Sequence, residues 1–168
     1  MVVVGGANGS LAAVRQVLAE RASGRVGLSP VYAELADTSR HLSLADLALG
    51  CVPPGQVGVV VFDEHPVGAL IARSPELADR VTALVLGPVL GLDPDERDLL
   101  LGTLSAWIAA GGSVSQTAEQ LYCHRNTVRN RLQRVEALTA RSLTDPTGLA
   151  EIVVAMTAAR LGRDENRF

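Results

Sequence analysis

From Asp93 onward the chain contains no run that reads as a β-strand, so its second half can only be helices. Asp93-Pro94-Asp95-Glu96 is a helix start in which each residue has a physical role. Asp93 accepts from the first unpaired amides, Pro94 forfeits no hydrogen bond at the first helical position, and Glu96 stands three residues after the cap. Leu100, Leu104, Trp107 and Ile108 form the apolar stripe that follows, and Gly111-Gly112 stops the helix. Asp145-Pro146 repeats the start signal. Its helix carries Leu149, Ile152, Val153, Met156 and Leu161 and ends near Gly162, before a frayed tail at 163–168. Trp107 reads as a core anchor of the first of these helices.

The first 92 residues read differently. Val2–Gly6, Arg25–Leu28 and Val57–Phe62 are strand-like, and the last is a continuous apolar run suited to burial on both faces. Helical spacing appears at Ser10–Arg21, over Val31–Leu49, at Pro66–Arg73 and at Pro75–Leu86, with a break at Pro53-Pro54-Gly55. Alternation of this kind predicts a small α/β layer, giving an α+β chain overall with domains at 1–92 and 93–162. Three strands make a thin sheet with open edges, so the layer is either shortened or completed by a partner chain.

Composition narrows the class. A chain of 168 residues holds one ordinary domain or two small ones, and 48% hydrophobic with 20% charged residues is a globular mixture. No apolar stretch is long enough for a membrane span, and Met1–Gly6 lacks the basic region of a secretion signal, so a cytoplasmic protein with no membrane partner is expected. Cys51 and Cys123 stand in no metal-ligand or CxxC spacing and read as reduced packing residues. The net charge of −3 does not point to nucleic acid, but its distribution does. Every basic side chain except histidine is Arg; between Ser113 and Arg141 there are five Arg (125, 129, 131, 134, 141) and two acids, Glu119 and Glu136.

Within that segment, Val114, Ala118 and Leu121 fall on one face of a short helix that Ser113 or Ser115 can cap. A tight turn at Tyr122–His124 leads into a second helix, about Arg125–Leu138, burying Val128, Leu132, Val135 and Leu138. Small Ala118 allows two helices to cross steeply over a short connection. With Val128 at zero on a helical wheel, Arg129, Gln133, Asn126, Asn130 and Arg134 fall between about 100° and 240°. By itself a polar helical face is only a solvated surface. This one has no acid from Arg125 to Val135 and consists of the side chains that pair with guanine and adenine edges in the major groove. Arg125 and Thr127 stand at the helix start, where phosphate oxygens meet free amides, and Arg131 and Arg134 flank the face as further phosphate ligands. His124 reads as a cap or phosphate contact rather than a metal ligand.

Thr117-Ala118-Glu119-Gln120-Leu121, His124 through Leu132, and Glu136-Ala137-Leu138-Thr139 closely resemble the C-terminal helix-turn-helix of the PucR/CdaR family of transcriptional regulators, itself similar to the Fis-type module. The resemblance covers about residues 93–161, with looser similarity over 25–92. It implies double-stranded DNA as partner, contacted by Ser115, Thr117, His124, Arg125, Asn126, Thr127, Arg129, Asn130, Arg131, Gln133 and Arg134. It also implies a truncated GGDEF-like α/β domain ahead of an all-α Fis-like domain, with Leu86–Leu90 as the connector. Three positions depart from the pattern: Asn130 stands where Tyr is frequent, Ala140 where Gly is common, and Tyr122 at a turn position that is Gly in many helix-turn-helix proteins, although this family tolerates bulky residues there. Family members carry a large N-terminal sensor region for which this chain has no room, the expectation for a fragment or a truncated regulator.

Enzymatic chemistry finds little support. There is no GGDEF signature, and Gly5-Gly6-Ala7-Asn8-Gly9-Ser10 lacks the Gly-Lys-Ser/Thr ending of a phosphate loop. Asp63-Glu64-His65 are neighbours on a turn and do not face one another. The expectation is a cofactor-free, non-enzymatic, homodimeric DNA-binding regulator with an effector, if any, that the sequence does not specify. The alternative is a dimerisation or effector-binding signalling module whose helical domain no longer binds DNA, with a vestigial nucleotide-processing enzyme as a distant third.

Overall fold

The computed structural model describes residues 10–53 and 55–162. The strand expected at Val2–Gly6, the glycine turn up to Gly9, and the tail at 163–168 lie outside the described residues. The chain divides into two compact units, one reaching Asp79 and resuming at Thr157, the other Arg80–Met156.

In the first unit, α1 (Leu11–Arg21) starts where Ser10 Oγ accepts from the amide of Ala13 at 3.2 Å. Strand β1 (Arg25–Leu28) pairs in parallel with β2 (Gly58–Val61), Arg25 opposite Gly58 and Leu28 opposite Val61. Between them runs the crossover helix α2 (Thr38–Leu49), preceded by a 3-10 turn at Leu35–Asp37. The close approach of α2 to β1 depends on Gly27: a Cβ there would lie 2.0 Å from the Ala45 carbonyl oxygen. Helix α3 (Pro66–Ala72) follows, burying Gly68, Ala69 and Ile71. The valine run at 57–62 is less buried than its composition predicts: Val61 is buried, Val59 and Val60 are half-buried, and Val57 is 62% exposed. Two strands are paired among the described residues and α1 buries none of its side chains, so both-face burial is not reached.

Helix α4 (Pro75–Leu90) runs four residues beyond the expected end and includes Leu86–Leu90, so the expected connector is helical. Pro88 interrupts its hydrogen-bond ladder, while Leu86 and Val89 are fully buried. In the second unit, α5 (Pro94–Ala109) begins as read, with Asp93 Oδ1 accepting from the amides of Asp95 and Glu96. After α5 come α6 (Val114–Gln120), α7 (Arg125–Thr139) and α8 (Pro146–Gly162). Asp145 Oδ2 receives the Gly148 amide at 2.8 Å, anchoring the first turn of α8. Leu104, Val128, Val135 and Ile152 are wholly buried and form the centre of this unit. Burying each such side chain contributes ~1.5–3 kcal/mol. Trp107 is half-buried rather than a full core anchor; its ring lies by Gly112, and its buried indole N–H has no partner among the described residues.

Candidate nucleic-acid interface

Helices α5, α6 and α7 pack on one another, and this packing decides which side chains of α7 remain outside. Ser113 Oγ caps α6 by accepting from the Gln116 amide at 3.3 Å. Ala118, 5% exposed, sits in the packed interior, as the crossing of two helices over a short turn requires. The turn closes with the Cys123 amide donating to the Ala118 carbonyl at 3.0 Å and the Tyr122 amide to that of Glu119 at 3.2 Å. Helix α7 then starts on His124, whose Nδ1 accepts from the Asn126 amide at 3.1 Å. That bond requires Nδ1 to be unprotonated, leaving Nε2–H as an exposed donor. Val128, Leu132, Val135 and Thr139 bury one stripe of the helix; Leu138, expected in that stripe, is half-buried.

The opposite side is exposed: Arg125, Asn126, Arg129, Asn130, Gln133 and Arg134 all lie on the surface, as do Ser115 on α6 and the cap His124. Arg129 and Asn126 share that face, with an Arg129 nitrogen 3.4 Å from Asn126 Oδ1. The acid nearest in sequence on α7, Glu136, is occupied elsewhere, accepting from the Leu143 amide at 2.7 Å and from Ser142 Oγ at 3.2 Å. Three exposed arginines, Arg125, Arg129 and Arg134, with no acid interleaved between them on α7 give the face a local positive charge that the whole chain lacks.

Two expected members of the face belong to the fold instead. Thr117 is 0% exposed, and its hydroxyl donates to the Ser113 carbonyl at 2.7 Å. Arg131 is half-buried and donates to Thr103 Oγ1 on α5 at 3.3 Å, because its position on the wheel turns it toward that helix. Thr127 is half-buried, and Arg134 keeps its exposure while its Nε reaches Glu96 Oε1 at 3.4 Å. Among the described residues no group of His, Cys, Asp or Glu is placed to hold a metal ion, and no helix is long and apolar enough to cross a membrane. Both cysteines are free; burial pushes the Cys51 thiol up, against the lowering effect of Arg160.

Residues 100–158 match the family described as the PucR C-terminal helix-turn-helix domain. They form a PucR helix-turn-helix domain. The matched residues take in α6, the turn and all of α7. The purine catabolism regulatory protein of Bacillus subtilis is 41% identical over 66 residues, 39% of this chain and 12% of that protein. The transcriptional activator PmfR of Paenarthrobacter nicotinovorans is 30% identical over 135 residues, 80% of this chain and 28% of the relative, an alignment longer than the PucR domain itself. The chain thus spans well under half the length of these relatives. Among solved structures, a regulator of polyketide synthase expression from Bifidobacterium adolescentis is 27% identical, covering 82% of this chain and 56% of its own, with a TM-score of 0.46. Within the PucR domain, a surface residue beside the face that sequence periodicity does not pick out is Tyr122, which is 97% exposed at the start of α7. Its type and turn position mark it as unusual in the sequence, but nothing local reveals its exposure.

Proposed function

We propose that this chain is a sequence-specific DNA-binding transcriptional regulator with α7 as its recognition helix. The observation that carries the reading is the exposed, acid-free side of α7, built from Arg125, Asn126, Arg129, Asn130, Gln133 and Arg134. Arg129, Asn130, Asn126 and Gln133 serve base edges: Arg pairs with guanine, and the carboxamides pair with adenine. Ser115, His124, Arg125, Thr127 and Arg134 serve phosphate oxygens, fixing register without reading sequence. Thr117 and Arg131 act through the fold. The DNA-binding domain is assigned to 93–162, and residues 1–92 to the remnant of a GGDEF-like α/β domain, in keeping with the β1–α2–β2 crossover. A cytoplasmic, non-catalytic homodimer completes the reading, since one short recognition helix binds weakly and two half-sites multiply affinity.

The test is a mobility-shift titration of the full chain against the DNA upstream of its own coding sequence, at several salt concentrations. Replacing Arg129 and Asn130 by Ala is expected to weaken binding by ~1–3 kcal/mol for each base edge no longer read. Binding that survives both replacements unchanged would remove α7 from the interface.

A further inference from the structure

Helices α5 and α6 end in the same hydrogen-bonded closure, and comparing the two isolates one residue. After α5, the Gly112 amide donates to the Trp107 carbonyl at 2.9 Å and the Gly111 amide to that of Ile108 at 3.0 Å. After α6, the Cys123 amide donates to Ala118 and the Tyr122 amide to Glu119 in the same spacing. Both are Schellman closures, whose central residue must be left-handed. Gly111 takes that position in the first, at φ +61°, and Tyr122 in the second, at φ +50°. Glycine adopts this conformation freely, whereas a bulky side chain is a genuine outlier there.

Burial of the aromatic ring would offset the strain, but Tyr122 is 97% exposed and its hydroxyl bonds to no other described residue. Neither burial of the ring nor a hydrogen bond of the hydroxyl to another described residue therefore offsets the strain of the left-handed turn. The ring borders an open concavity with Ser115, Glu119, Cys123, His124 and Arg125, at the start of α7 and continuous with its exposed face. Residues with hydroxyl, imidazole and guanidinium donors line this one hollow, the chemistry that holds a phosphodiester. Glu119 also lines the hollow, so among these side chains Arg125 is the one whose fixed positive charge can neutralise a phosphate.

We infer that Tyr122 is a DNA-contacting residue, its ring laid against a deoxyribose and its hydroxyl donating to the adjoining phosphate, just outside the bases read by Arg129 and Asn130. The inference rests on the DNA-binding reading above, and its test separates the two. The full chain first enriches a duplex from a random-sequence pool; fluorescence anisotropy then follows that duplex at several salt concentrations. Tyr122→Gly and Tyr122→Asn both accept a left-handed backbone, so neither melts below the parent. Each is expected to bind about tenfold more weakly, ~1.4 kcal/mol. The salt slope stays at the parent value because tyrosine displaces no counterion, while Arg125→Ala lowers that slope by about 0.9. Tyr122→Phe, which keeps the ring, falls between. Parental affinity in the Gly and Asn variants overturns the inference, and so does weakened binding accompanied by a lower melting temperature in both, which marks a structural role. Failure of the parent chain to enrich any duplex overturns the DNA-binding reading itself.

Discussion

Replacing Arg131 by Ala should damage the stability of the helical unit and leave its DNA contacts intact, although Arg129, two residues earlier, should behave in the opposite way. The Arg131 guanidinium donates to Thr103 Oγ1 at 3.3 Å, and Thr103 is 1% exposed. A hydrogen bond from a charged donor contributes ~1.5–3 kcal/mol, and we take ~1 because this one is long and half-buried. Its half-buried methylenes contribute about a further 1 kcal/mol at ~0.8 per fully buried CH₂. Thr103 keeps its own bond to the Leu99 carbonyl at 2.7 Å, so the substitution leaves no orphaned buried hydroxyl. The expected loss of ~2 kcal/mol corresponds to a fall in Tm of about 4–8 °C for a chain of this size. Thermal unfolding followed by circular dichroism reads it directly, with Arg129→Ala, on the exposed face, expected within ~0.5 kcal/mol of the parent. The reasoning fails if Arg131→Ala melts with the parent while its DNA salt slope drops by about 0.9, the signature of a missing phosphate ligand.

The left-handed Ala140, at φ +53°, closes α7. Ala140→Gly should therefore stabilise the chain by ~0.5–1 kcal/mol in urea unfolding, and a lower midpoint would contradict the assigned strain. Asp93→Ala removes the acceptor for the Asp95 and Glu96 amides and should cost ~1 kcal/mol, whereas Asp93→Ser should restore most of it.

Much of the helical half was legible because its signals are local. A cap such as Asp93 or His124 bonds an amide two or three residues away, so its chemistry and its partner lie within one short stretch of sequence. The exposed side of α7 was equally readable, since helical periodicity alone separates Val128, Leu132 and Val135 from Arg129, Asn130 and Gln133. The limits of that face were not. Arg131 turns away because Thr103, 28 positions earlier, meets it from another helix. Thr117 is lost to the surface because α6 is packed against α5 and α7.

The first unit divides the same way. Residues 25–28 and the valine run read as strands from composition, yet their parallel pairing joins positions about thirty residues apart. Sequence alone determined where most helices begin and stop and which stripe of α7 is apolar, because those choices are made by neighbours within a turn or two; it misplaced the start of α2, which lies at Thr38 rather than Val31. Tertiary structure alone decided how deeply the valines are buried, which arginine serves the fold and which faces solvent, and that Tyr122 stands exposed in a strained turn. The burial of the valines and the sorting of the arginines depend on what another segment brings alongside, and that proximity is set by packing rather than by spacing along the chain.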